Sequence, residues 1–148
     1  MFKKILVALD GSEHANHALN YALDLAEKYF AQILLLTVFH PVYLPISDEL
    51  DYISPRVTGQ YLDALKVYHE KVLSEGLKRA NELKPDLNIS TMLTEGRPAD
   101  EIVKKAKEGN FDIIVIGSRG LGGVTQLLLG SVSDKVADHA PCPVLIIR

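Results

Sequence analysis

Cysteine is nearly absent from this chain and tryptophan is wholly absent: Cys142 stands alone among 148 residues. One cysteine excludes an internal disulfide framework and suits a reducing cytoplasm. No apolar run approaches the roughly 20 residues a membrane span needs, so no membrane association is expected. The start, FKKILVALD, is too short in its apolar part for a secretory signal. Excess charge of one sign is lacking as well. Lys+Arg 16 against Asp+Glu 19 gives −3, with the signs interspersed, and that balance gives no reason to expect nucleic-acid binding. What remains is a chain with 47% hydrophobic and 24% charged residues. That is ordinary for a globular protein, and its length suits one domain over residues 1–148.

The hydrophobic patterning alternates between two periods. Phe2 to Leu9 ends in an apolar run and then the turn DGS, which predicts a buried strand. Ser12 is a good N-cap, and Ala15, Ala18, Leu19, Ala22, Leu25 and Ala26 recur at helical spacing, so Ser12 to Tyr29 reads as an amphipathic helix. Ile33 to Phe39 is a second buried strand. Residues 40 to 58 carry three prolines and read as a long loop holding Tyr43 and Tyr52, which could pack at a dimer contact or cover a site. A helix is expected from about Gly59 to Leu83, then a third strand, Ile89 to Leu93, whose alternation suits a sheet edge. A short helix follows, with Pro98 in its first turn and Gly109 past its end. Asp112 to Ile116, Ser131 to His139 and Val144 to Ile147 complete a β-α-β-α-β-α-β-α-β order.

Strands alternating with helices argue for a doubly wound α/β fold, a five-stranded parallel sheet with helices on both faces. Such sheets bind ligands beyond the carboxyl ends of the strands. Among the loops at those ends is GSRGLGGVTQLLLG, with five glycines in residues 117–130 and a leucine run no flexible linker would carry. Glycines allow close backbone approach, and amides entering a helix N-terminus favour anions. Gly117, Ser118, Arg119 and Gly120 leave the strand; Gly130, Ser131, Val132 and Ser133 enter the helix. The segment reads either as a phosphate cradle or as an ordinary βα loop with a serine cap. It is not a P-loop, because no lysine follows its glycines. It is not a dinucleotide fingerprint, because the turn after the first strand is DGSEHA.

These residues carry a resemblance. Gly117, Gly120, Gly130 and Ser131 match the Gly, two residues, Gly, nine residues, Gly, Ser/Thr signature of the nucleotide-binding branch of the universal stress protein family. The opening KILVALDGSEHANHAL and the ending APCPVLIIR are also similar to that family, so the resemblance spans the chain. It implies strand order 3-2-1-4-5 and a homodimer made through the last strand, Val144 to Ile147. It also implies binding of ATP, AMP or ADP, often with Mg or Mn. By the same resemblance Ala8, Leu9 and Asp10 would line the nucleoside, and Asp10 would approach the ribose or a phosphate-bound ion. Thr37 and Val38 would meet the adenine edge through their backbone. Gly117 and Gly120 would flank ribose and phosphates, and Gly130, Ser131, Val132 and Ser133 would bind phosphates.

The implied function is a nucleotide-dependent regulatory or stress-response protein; a slow Mg-dependent ATP hydrolase is the alternative. Hydrolysis would have only Asp10 with a metal and Arg119 to work with, and no dedicated base is visible. A signalling receiver domain is excluded, because it needs an acidic pair after the first strand and a lysine ending the fifth. His14 and His17 read as a solvated helix face, His40 as a loop residue, His69 as an exposed helix residue, and His139 as a favourable cation near a helix C-terminus. Cys142 reads as a small apolar residue before the last strand, without an activating neighbour.

Overall fold

The computed structural model describes residues 1–42, 55–121 and 128–148, with side chains described outside 55–57. Five strands form one parallel sheet in the order β3-β2-β1-β4-β5. They are β1 (Lys4–Ala8), β2 (Gln32–Phe39), β3 (Ile89–Glu95), β4 (Ile113–Gly117) and β5 (Val144–Ile147). Helices α1 (Glu13–Tyr29), α2 (Pro55–Leu83), α3 (Pro98–Glu108) and α4 (Ser131–His139) alternate with them.

The sheet divides the core in two because successive strand side chains face opposite ways. Ile5, Val7, Ile33, Leu35, Ile113 and Val115 face α1 and α2, where Leu19, Leu23, Val72 and Leu73 cover them. Leu6, Ala8, Leu36, Ile114 and Ile116 face α3 and α4, against Ala99, Ile102, Ala106 and Val136. Burial on both faces explains the continuous apolar runs of β1, β2 and β4. The edge strands differ: β3, at the edge as expected, exposes Ser90, Thr91 and Met92, and β5 leaves Val144, Leu145 and Ile146 only half-buried.

Two local expectations need correction. Helix α2 begins at Pro55, inside the stretch read as loop, with proline at the first helical position where its missing N–H costs nothing. Tyr43 and Tyr52 lie outside the described residues. Gly109 lies just past the end of α3, as expected, with φ −85°; the left-handed residue is Asn110, φ 50°. Glycine is needed at 109 for space, since a Cβ there would stand 2.3 Å from the Phe111 ring. Second, His69 is half-buried rather than exposed, with its ring 6.0 Å from that of Phe39 and its Nδ1 2.7 Å from the Leu65 carbonyl.

Candidate functional site

The chain turns from β1 towards β2 on one side and is joined by β4 on the other, so the winding direction reverses between β1 and β4. A cavity of about 570 Å³ opens there, beyond the carboxyl ends of both strands. That volume lies within the range of small-molecule sites. Its apolar wall comes from the α3-facing side of the sheet: Ala8, Leu36, Val38 and Ile116, closed by Pro98 and Ile102 of α3. Its polar end is formed by Asp10, Arg119, Gly120 and the start of α4.

Asp10 ends β1 in a tight turn. Its Oδ1 accepts the Ser12 N–H at 2.9 Å, and Gly11 takes a positive φ of 88° that a side chain would strain. Ser12 then caps α1, accepting the Ala15 N–H at 3.2 Å. Oδ2 of Asp10 points at Gly120, where a Cβ would stand 2.6 Å away. Arg119 is half-buried, and its Nε is buried with no hydrogen-bond partner among the described residues.

Helix α4 supplies the anion-favouring end. Its N-cap is Gly130, which has no side chain to cap the helix, and the first intrahelical bond runs from Asp134 N–H to the Gly130 carbonyl. The N–H groups of Ser131, Val132 and Ser133 therefore have no intrahelical acceptor. All three residues line the cavity.

Of the sequence-predicted residues, Ala8, Leu9, Asp10, Val38, Gly117, Arg119, Gly120, Gly130, Ser131, Val132 and Ser133 come together around the cavity. Thr37 and Ser118 do not line it. Thr37 is adjacent to Val38 on a strand, so its side chain faces the α2 side; it is fully buried with its hydroxyl unpartnered. Ser118 is 2% exposed and is a junction. Its N–H donates to the Ile147 carbonyl at 2.6 Å, and its carbonyl accepts from Gly130 N–H at 2.7 Å and Ser133 Oγ at 2.9 Å. The Ser133 hydroxyl, also 3.0 Å from the Gly130 carbonyl, is thus engaged with backbone; what faces the cavity from it is its amide.

The glycines act by close packing as much as by opening space. A Cβ on Gly117 would lie 2.7 Å from the His14 carbonyl carbon, so α1 sits directly on the end of β4. A Cβ on Gly130 would press on the Ser118 carbonyl and Arg119 Cα at 3.2 and 3.3 Å. His14, read from sequence as solvated, is half-buried, with Nδ1 3.0 Å from Ser118 Oγ. His17 is exposed. Sequence reasoning missed the α3 wall of Pro98 and Ile102, although helix starts at strand carboxyl ends are where such walls arise. Leu36 was legible too, as the residue two before Val38 on one strand face.

Among the described residues no group of three or more His, Cys, Asp or Glu side chains is placed to hold a metal ion. No helix among them is long and apolar enough to cross a membrane. Burial is the main cause pushing the Cys142 thiol above its ordinary value, with the charge of Asp112 adding to it. This makes it a poor nucleophile at neutral pH.

Fold and cavity together define a doubly wound α/β protein with an open site at its switch point. The chain belongs to the universal stress protein family, whose model matches residues 1–148. It is 35% identical to Universal stress protein YxiE of Bacillus subtilis, over 100% of both chains. The universal stress protein UspA from Lactobacillus plantarum superposes with a TM-score of 0.84 at 28% identity, covering 99% of this chain and 98% of that one. A universal stress protein solved in complex with cAMP has a TM-score of 0.72 at 26% identity, covering 99% and 97%.

Proposed function

We propose that residues 1–148 form one domain that binds an adenine nucleotide in the β1–β4 cavity and acts as a nucleotide-dependent regulatory or stress-response dimer in the cytoplasm. The observation that carries the reading is the polar end of the cavity. Three helix-start amides without a capping side chain line the same cavity as Arg119, whose buried Nε has no partner among the described residues. Free amides at a positive helix end are an anion site, and the apolar wall of Ala8, Leu36, Val38 and Ile102 suits a flat base. The relative bound to cAMP supports the ligand class.

In this reading ATP, ADP or AMP places its base against the sheet end near the Thr37 and Val38 backbone. The ribose lies by Asp10 and Gly117. The phosphates lie between Gly120 and the Ser131, Val132 and Ser133 amides. Asp10 Oδ2 would be a single carboxylate for Mg or Mn, with the remaining ligands from phosphates and water, the way Mg is often held. The dimer would form through β5, an edge strand with unpaired backbone groups, half-buried at Val144, Leu145 and Ile146.

Freshly purified protein is denatured and the released nucleotide identified, and stripped protein is titrated with Mg-ATP by calorimetry. Co-purifying ATP with no turnover supports the switch. ADP or AMP accumulating from added ATP supports the slow hydrolase. Finding no bound nucleotide together with no binding heat would overturn the reading.

A further inference from the structure

His14 does not itself line the cavity, yet its side chain is tied to the cavity's polar end through two steps. Its Nδ1 lies 3.0 Å from Ser118 Oγ. Ser118 in turn holds α4 through its carbonyl, accepting from Gly130 N–H at 2.7 Å and Ser133 Oγ at 2.9 Å. These are the N-cap and third residue of the helix whose free amides face the cavity. We infer that His14 is a positioning residue for anion binding: by fixing the Ser118 side chain it fixes the carbonyl on which the start of α4 hangs.

The surroundings make the link stiff. Ser118 is 2% exposed, and the His14 ring is the side-chain partner that meets its hydroxyl within the fold. Its N–H is held by the Ile147 carbonyl at 2.6 Å, leaving the side chain as the adjustable contact. The first turn of α1 cannot drift away, because Gly117 seats it against the strand end with no room for a Cβ. An unpaired buried hydroxyl re-orients its own backbone or seeks another acceptor. The backbone in question is the one holding Gly130 and Ser133. The inference rests on the reading of the cavity as a nucleotide site.

The test compares ATP and adenosine binding by wild type, His14→Ala and His14→Asn. Asparagine places an amide atom where Nδ1 stands, so it restores the hydrogen bond without the ring. His14→Ala is expected to weaken ATP about three- to tenfold, the effect of one hydrogen bond, and to leave adenosine within twofold. His14→Asn is expected to recover most of the ATP affinity. Unchanged ATP affinity in His14→Ala, an equal loss for adenosine, or failure of asparagine to rescue would each overturn the inference. Wild type that binds no ATP would instead overturn the reading of the site itself. Ser118→Ala alone and combined with His14→Ala closes the cycle. Additive losses would contradict a shared path.

Discussion

Oδ2 of Asp10 occupies the space a side chain on Gly120 would need: a Cβ there would stand 2.6 Å away. The carboxylate cannot simply retreat, because its Oδ1 accepts the Ser12 N–H at 2.9 Å. Two residues more than a hundred positions apart in sequence are thus fitted to each other at the polar end of the cavity. Gly120→Ala should force the carboxylate out of place while leaving the core intact. Magnesium-dependent ATP affinity should fall several-fold, with a stability loss of at most about 1 kcal/mol. Calorimetry with and without magnesium, beside urea unfolding, separates the two effects. Unchanged affinity would remove Asp10 from the site.

Gly117 should behave differently. A Cβ there meets backbone at 2.7 Å, the His14 carbonyl carbon, and backbone cannot swing aside. Gly117→Ala should therefore cost about 1–3 kcal/mol of stability in urea unfolding, as overpacking does. A loss below 0.5 kcal/mol, on the order of a surface change, would show that α1 gives way easily.

Thr37 offers a substitution in the opposite direction. Its hydroxyl is buried without a partner among the described residues, and such a group opposes folding. Thr37→Val keeps the shape and removes the group. It should be neutral or stabilising by up to about 1 kcal/mol. Nucleotide affinity should be unchanged, since any base contact at this position belongs to the backbone. Weaker ATP binding by this variant would bring the side chain into the site after all.

Asp112 gives stability a pH dependence. Its Oδ2 accepts the N–H groups of Lys3 at 2.7 Å and Lys4 at 2.9 Å. Chiefly the Lys3 amide, then the Lys4 amide, hold its carboxyl below the ordinary 3.8. A carboxyl depressed in the folded state contributes stability that is fully present above 3.8 and is lost as pH falls below it, through the lower folded value. Thermal melts from pH 7 to pH 3 should show Asp112→Asn less stable than wild type at pH 7, with the gap closing at the acid end. A gap that stays constant would mean the carboxylate charge plays no part.

The order of strands and helices was legible in the sequence because burial on both sheet faces leaves unmistakable runs such as ILLLTVF, Ile33 to Phe39. Most of the cavity was legible too, since glycines and a helix start after a strand end point to the switch point. What was not legible came from packing across the chain. The Ser118 side chain meets His14 instead of lining the cavity, and alternation along β2 turns the Thr37 side chain to the α2 side, leaving only its backbone for the expected contact. His14 looks solvated until α1 is laid on Gly117. The α3 wall of Pro98 and Ile102 comes from a helix that carries no glycine signature at all.

The most direct test of the nucleotide site is a backbone-amide NMR titration of the whole protein with Mg-ATP. The account predicts saturable shifts at Gly117, Arg119, Gly120, Ser131, Val132 and Ser133, with smaller ones at Val38 and Asp10 and none along the exposed face of α2. Shifts confined to another surface, such as the groove bearing Met92 and Lys105, or no shifts at saturating ATP, would contradict it.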